Sequence, residues 1–245
     1  IMSSDWSSDV CSSDLGYPLE HSHSPAIYEK LFVQNNLNGA KYELFPLPAI
    51  EDLPELINAQ PNLAGFNVTI PHKHTIVNHI TKLSPLAQDV GAVNAIKVFR
   101  KGTHFELIGY NTDIYGFVST LEKHQLKNTQ ALVFGNGGAA QAVKYALSEK
   151  NIDYQIVSRK SQGIRYSDLT PEILNKYPIL INTTPVGMHP KVDEKLSIPE
   201  DGITSDHTLI DLIYNPEETS FIKMGIKKGA AVINGRVMLE KQAER

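Results

Sequence analysis

From Gly16 onward, apolar positions along the chain fall into two alternating periods. Runs of strand length occupy residues 42–45 and 65–70, and residues 93–100 and 104–109 flank Lys101-Gly102, which reads as a hairpin turn. Between the runs the spacing becomes helical. Ser24-Pro25 reads as an N-cap followed by proline at the first helical position, opening a helix through Asn35 with Ile27, Leu31 and Phe32 on its apolar side. Residues 50–58 form a short helical stretch interrupted by Pro54. Pro71 opens a helix to about residue 80, and Ser84-Pro85 opens another that ends near Gly91. A longer helix over 113–124 carries Ile114, Phe117, Val118 and Leu121 on one side. Short apolar strands are then expected at 130–134, 154–157, 179–182, 208–212 and 230–233, with helical segments between most of them. Strands alternating with helices imply a parallel sheet covered on both faces. Residues 236–245 are helical again.

The pattern predicts an α/β protein of two domains. Residues 16–112 form the first and 113–235 the second, with 236–245 a further helix. The first fifteen residues break the pattern. The triplet Ser-Ser-Asp recurs at 3–5, 7–9 and 12–14, with neither helical nor strand periodicity. They read as a non-native segment, such as translated vector or adaptor DNA, or as a disordered tail.

Composition narrows the function classes. Hydrophobic residues make up 41% and charged residues 20% of the 245, as in an ordinary globular protein. The formal net charge of −4 offers no basic field for nucleic acid. No apolar run reaches the length of a membrane span, and the start has neither the basic nor the apolar region of a signal peptide. With Cys11 the one cysteine, no internal disulfide can form, and a cytoplasmic location is expected.

Three constellations carry chemistry. At the end of the 65–70 strand, Asn67, Thr69 and Lys73 gather an amide, a hydroxyl and an ammonium, which suits a polyhydroxylated substrate and a proton transfer; Asp113 supplies a carboxylate. Ser22 and Ser24, just before a helix start, can bind a carboxylate with help from the helix's positive end. Gly135-Asn136-Gly137-Gly138-Ala139, after a strand and before a helix, lets backbone N–H groups approach a pyrophosphate. The next strand ends Ser158-Arg159-Lys160, with cations where an NAD site usually has an acid, so NADP is the expected cofactor. The pairs His21/His23 and His72/His74 lack the further ligands of a metal site, and no metal is expected.

With these pieces in place the chain resembles the shikimate dehydrogenases from Gly16 to about Gln242. The matching blocks are Gly16 to Pro25, Asn67 to Lys73, Gly91 to Asn94, Gly109 to Asp113, Gly135 to Ala139, Asn182 to Met188, Asp211 to Pro216 and Gly235 to Gln242. The resemblance implies a substrate domain and a Rossmann-type NADP domain, with the active site in the cleft between them. It implies NADP-linked interconversion of 3-dehydroshikimate and shikimate in aromatic amino-acid biosynthesis, by a monomer or homodimer. Carried over by position, Ser22 and Ser24 bind the substrate carboxylate with Tyr214 assisting. Asn67, Thr69, Asn94, Asp113 and Gln242 bind its hydroxyls. Lys73 and Asp113 form the catalytic pair. Gly135 to Ala139, Ser158, Arg159 and Gly235 hold the cofactor. The resemblance further implies an apolar strand before Gly16, missing here so that its neighbours face a gap, and a longer C-terminal helix packing back on the substrate domain, of which 236–245 are a truncated copy; Arg236-Val237 depart from the family's usual apolar and small or acidic residues. Two other readings stay open: a quinate/shikimate dehydrogenase using NAD or NADP, and a catalytically silent NADP- or shikimate-binding module.

Overall fold

The computed structural model describes residues 11–20, 22–102, 104–127, 129–159 and 163–245. The chain divides into two compact units, one running to Thr112 and including Ala243–Arg245, the other Asp113–Gln242.

The first unit contains β1 (Cys11–Gly16), α1 (Ser24–Gln34), β2 (Lys41–Pro46), α2 (Leu53–Ala59), β3 (Leu63–Val68), β4 (Lys82–Leu83), α3 (Pro85–Val90), β5 (Ala95–Lys101) and β6 (His104–Tyr110). They form one mixed sheet in the order β2-β1-β3-β5-β6-β4. Strands β2, β1 and β3 are parallel, and β5 runs antiparallel to both β3 and β6. The hairpin turn falls at Gly102, whose φ of +62° favours glycine. Ser84 caps α3 by accepting from the Ala87 N–H, and Gly91 closes that helix in the left-handed conformation. Pro54 lies in the first turn of α2 and starts that helix, where the sequence suggested an interruption. The helix expected after Pro71 is a turn followed by a 3-10 helix at Thr75–His79.

Strand β1 corrects one expectation for residues 1–15, the gap before Gly16. Residues 1–10 lie outside the described residues, but Cys11–Gly16 pairs in parallel with β2 on one side and β3 on the other. All six of its residues are buried. The expected gap is filled. Alternation explains how so polar a segment serves. Cys11 and Leu15 join the apolar cluster of Leu53, Ile57, Leu63, Phe66 and Val68. On the other side of the pleat, the Asp14 carboxylate accepts hydrogen bonds from hydroxyls of α1's approach loop and β2. A strand hydrogen-bonded on both edges has its backbone groups satisfied whatever its side chains.

Ser13 is the weak point. It is 0% exposed and its hydroxyl has no hydrogen-bond partner among the described residues. An orphaned buried hydroxyl forfeits its hydration without return. Ser13→Ala is therefore expected to stabilise the protein by about 1 kcal/mol. A urea titration checks this through a raised midpoint at unchanged slope.

The second unit contains α4 (Asp113–Lys123), β7 (Gln130–Phe134), α5 (Gly138–Glu149), β8 (Asp153–Ser158), β9 (Ile164–Arg165), α6 (Pro171–Leu174), β10 (Ile179–Asn182), β11 (Thr208–Asp211), α7 (Ser220–Lys227), β12 (Ala231–Ile233) and α8 (Arg236–Ala243). Its sheet is parallel throughout, in the order β12-β11-β10-β7-β8-β9. The five apolar runs of the sequence are strands here. The two-residue β9 has no apolar run of its own and goes unseen until the sheet is assembled. Leu132, Phe134, Leu180 and Leu209 face a core completed by Leu174, Phe221 and Met224. Helix α8 is anchored despite its length: Met238 and Ala243 are buried, and its backbone passes close over Gly116 of α4.

Candidate active site

Topology places a crevice in the first unit. The chain leaves β1 through α1 to reach β2 on one side, while β3 lies on the other and leads away to β5. Where neighbouring parallel strands send their connections in opposite directions, their carboxyl ends leave room for a ligand. The loop after β1 carries Ser22, and the carboxyl end of β3 carries Asn67, with Thr69 and Lys73 just beyond. The two ends are tied together, since the Thr69 N–H donates to the Leu15 carbonyl at 2.9 Å and the Tyr17 N–H to the Ile70 carbonyl at 3.0 Å.

The same edge fixes Lys73 and Asn94. The Val93 N–H donates to the Lys73 carbonyl at 3.0 Å, and the Asn94 N–H to the Tyr110 carbonyl at 3.0 Å. Asn94 is buried, gives its amide hydrogen to Thr112 Oγ1 at 3.0 Å, and accepts from the Thr112 N–H at 2.6 Å. Asn111 donates to the Ala92 carbonyl at 2.9 Å. The 91–94 and 109–112 segments are thereby locked to each other and to the Lys73 backbone. His72 is buried with its Nε2 against the Leu47 carbonyl at 2.6 Å, and His74 Nδ1 meets the Gly91 carbonyl at 3.1 Å. These histidines have structural partners. Among the described residues, no cluster of three or more histidine, cysteine or acidic side chains is placed to hold a metal.

Asn67 sits in a polar network that sequence alone did not reveal. Its amide donates to the Tyr42 hydroxyl at 2.7 Å and the Tyr28 hydroxyl at 2.9 Å. The two rings stack with centroids 4.2 Å apart. Burial raises both phenols, Tyr28 to about 12 and Tyr42 well above its ordinary value, with the Asp14 charge adding to each. Both therefore stay protonated, and the Tyr42 O–H donates to Asp14 Oδ1 at 2.6 Å. The Ser22 hydroxyl donates to Asp14 Oδ2. With its amide hydrogens directed at tyrosines, Asn67 is oriented to meet a ligand hydroxyl through its carbonyl oxygen.

Ser24 departs from its expected role as a cap. Helix α1 starts at Ser24, its N-cap position is His23, and no side chain caps it. Instead the Ser24 N–H donates to Ser22 Oγ at 3.2 Å. The stability loss a cap residue shows on truncation is not expected of Ser24→Ala, because its oxygen satisfies no helix N–H.

In the second unit β7 leads to β8 on one side, and β10 lies on the other, so the crevice falls at the carboxyl end of β7. Gly135 turns there with φ +107°, and a Cβ would come within 2.6 Å of Thr183 Oγ1. Only glycine fits that turn without strain. Gly137 is the N-cap of α5, and space is open where its Cβ would be, so a pyrophosphate could approach the N–H groups that open the helix. Asn136 Oδ1 accepts from Gln141 Nε2 and Lys144 Nζ, both at 3.4 Å. Ser158 ends β8 buried, and Arg159 follows it exposed, close enough to Tyr166 that its charge opposes the burial that lifts that phenol to about 12. Lys160 lies outside the described residues.

Two sequence comparisons bear on this architecture. The sequence model of the shikimate dehydrogenase substrate binding domain matches residues 15–96. The chain is 40% identical to the NADP(+) shikimate dehydrogenase of Clostridium beijerinckii, covering 94% of this chain and 87% of that protein. It is 36% identical to that of Methanosphaera stadtmanae, covering 93% and 86%. The chain belongs to the shikimate dehydrogenase family. The crystal structure of the Thermus thermophilus shikimate 5-dehydrogenase in complex with NADP(H) and shikimate is similar throughout, with a TM-score of 0.81 at 29% identity over 96% of this chain and 90% of that one.

As a member of the shikimate dehydrogenases, the chain keeps its predicted site residues in two groups. Ser22, Asn67, Thr69, Lys73 and Asn94 lie along one edge of the first unit's sheet. Gly135 to Ala139, Ser158 and Arg159 lie along one edge of the second. Asp113 is buried at the start of α4, Tyr214 is half-buried beyond β11, and Gln242 sits near the end of α8 facing Gly116. Gly235 has a structural reason to be glycine, since a Cβ would lie 2.0 Å from the Leu212 carbonyl oxygen. Arg236 points outward and pairs with Glu217 and Glu240, both at 3.2 Å.

Sequence reasoning gave no role to Asp211, which ties together the carboxyl ends of β10 and β11. It is 0% exposed and accepts from Asn182 Nδ2 and the Ile213 N–H at 3.0 Å, and from the Thr219 hydroxyl at 2.6 Å. Asn182 in turn accepts from Thr184 N–H and Oγ1 at 2.9 and 2.7 Å. The signal was an acid ending an otherwise apolar strand. Burial raises the Asp211 carboxyl to about 6, against the pull of these three donors. A carboxyl whose folded pKa lies above its unfolded value binds protons better when folded. It therefore favours folding most below about 4 and loses that contribution as pH rises to about 6. Asp211→Asn is expected to flatten the pH dependence of stability between those values, measured by thermal unfolding across that range.

Proposed function

We propose that this chain catalyses the NADPH-dependent reduction of 3-dehydroshikimate to shikimate, reversibly, with Lys73 and Asp113 as the catalytic pair. The observation that carries the reading is the edge of β3: Asn67, Thr69 and Lys73 follow one another there, and the Lys73 backbone is pinned beside Asn94. An ammonium amid neutral hydroxyl binders is what a ketone needs as negative charge develops on its oxygen. Lys73 stabilises that oxyanion and stands ready to supply the proton, while Asp113 holds Lys73 and a substrate hydroxyl in register. Asn67, Thr69, Asn94 and Gln242 bind the remaining hydroxyls, and Ser22, Ser24 and Tyr214 the carboxylate.

The residues of the second unit fit NADP. The open approach to Gly137 and the start of α5 suit the pyrophosphate, and the end of β8 offers a hydroxyl and a guanidinium where an acid would repel a 2′-phosphate. Bound there, the nicotinamide supplies hydride to the ketone carbon. The reaction takes place in the cytoplasm, in a monomer or homodimer.

The test is an NADP-coupled assay of the purified protein with shikimate, beside quinate and beside NAD. Turnover with shikimate and NADP supports the reading, comparable turnover of quinate shifts it to the broader enzyme, and cofactor binding without turnover sinks it. Arg159→Ala is expected to weaken NADP about ten- to a hundredfold in kcat/KM while leaving NAD nearly unchanged, because only NADP carries the 2′-phosphate. Equal losses with both cofactors would make Arg159 structural.

A further inference from the structure

Gly116 stands inside α4, where glycine weakens a helix relative to alanine. Its conformation gives no reason for it, since its φ is not positive. The reason is space. A Cβ at residue 116 would lie 2.5 Å from the Met238 carbonyl oxygen of α8, 3.1 Å from Met238 Cγ and 3.2 Å from Gln242 Cβ. The Met238 side chain can swing aside, but a backbone carbonyl moves only with its helix. The contact is therefore helix against helix, and Gly116 and Met238 are both buried in it.

We propose that Gly116 is a positioning residue: by letting α8 rest directly on α4, it sets where Gln242 stands relative to Asp113. The proposal rests on the reading of Asp113 and Gln242 as ligands of substrate hydroxyls. Both flank the contact. Asp113 opens α4 three residues before Gly116, and Gln242 follows Met238 by four, so each lies on the same side of its helix as the contact. Of the two helices, α8 is the one to give way. Helix α4 is held by buried Ile114, Phe117 and Leu121, while the eight residues of α8 are anchored through Met238 and Ala243. An added methyl would push α8 back by about 0.5 Å before the Met238 carbonyl stood 3.0 Å away, the closest approach that real Cβ atoms show. A side chain that must meet a substrate hydroxyl in hydrogen-bond geometry is misplaced by about that displacement. Gln242 cannot escape the shift, because its own Cβ is among the atoms pushed.

The test measures calorimetric affinity for shikimate and for NADP, KM, kcat and a thermal melt, in the wild type, Gly116→Ala, Gln242→Ala and the double variant. Gly116→Ala is expected to weaken shikimate about tenfold, in affinity and in KM alike, with NADP affinity within about twofold of the wild type. On the Gln242→Ala background the same change should add little, because the amide it displaces is gone. A merely structural glycine would weaken both ligands together, or lower the melting temperature with shikimate affinity unchanged, and either result overturns the proposal. Were there room for the methyl, alanine's better helix propensity would raise the melting temperature and leave shikimate binding as it was, which also overturns it. So does a loss that multiplies in full with that of Gln242→Ala. If Gly116→Ala does not fold even in saturating NADP, the glycine serves folding and the proposal is refuted. A wild type that turns over shikimate while Gln242→Ala binds it normally sinks this inference alone. A wild type that does not bind shikimate removes the functional reading and this inference with it.

Discussion

Replacing Lys73 with alanine is expected to lower turnover with shikimate by about 10² to 10⁴, the range for loss of a positioned acid or base. Substrate affinity should change much less, because the ammonium matters most when charge is on the reacting oxygen. The variant should also fold. The Lys73 carbonyl accepts from the Val93 N–H at 3.0 Å, and a substitution leaves that main-chain bond in place. Activity and stability can therefore be separated by measuring kcat alongside a thermal melt. Asp113→Asn should show the same pattern with a larger loss of affinity, given the second role proposed for Asp113 at a substrate hydroxyl. A Lys73→Ala enzyme with nearly normal kcat would remove the mechanism proposed above.

The second large effect concerns stability. Leu15→Ala is expected to cost about 2–5 kcal/mol, because Leu15 is fully buried in the first unit's core and its removal leaves a cavity between strands that cannot collapse onto it. The strand around it is fixed on both edges by β2 and β3, and the Leu15 carbonyl accepts from the Thr69 N–H at 2.9 Å. In a unit of about this size the loss should lower the melting temperature by about 10 °C or more. The same pairing predicts that residues 11–16 resist proteolysis in the native protein. If Leu15→Ala melts like the wild type, the segment before Gly16 is not part of the sheet, and the gap expected there returns.

The alternation of the second half determined its fold. Five apolar runs with helices between most of them bury their surfaces as a covered parallel sheet, and the glycines after the first run required a tight strand-to-helix turn. Gly135 at φ +107° and α5 opening at Gly138 follow from residues next to one another in the chain. The candidate chemistry was legible for the same reason. Asn67, Thr69 and Lys73 lie within seven residues, and Ser158-Arg159 ends a single strand. Tertiary structure decided what adjacency does not encode. Ser12-Ser13-Asp14 looks like a poor strand because composition records only hydrophobicity, yet a strand flanked on both edges has its backbone paired by its neighbours and needs few apolar side chains. Its charge is tolerated because hydroxyls from residues 22 and 42, distant in sequence, meet it in space. Asp211 became the tie of that sheet's carboxyl edge only when β10 and β11 brought Asn182 beside it. Ser24 lost its capping role because α1 begins one residue earlier than the Ser-Pro pair suggested, with Ser22 taking the Ser24 N–H. Side-chain partners of a buried polar group are set by the packing of remote segments, and a sequence read along its length shows only the groups that will need them.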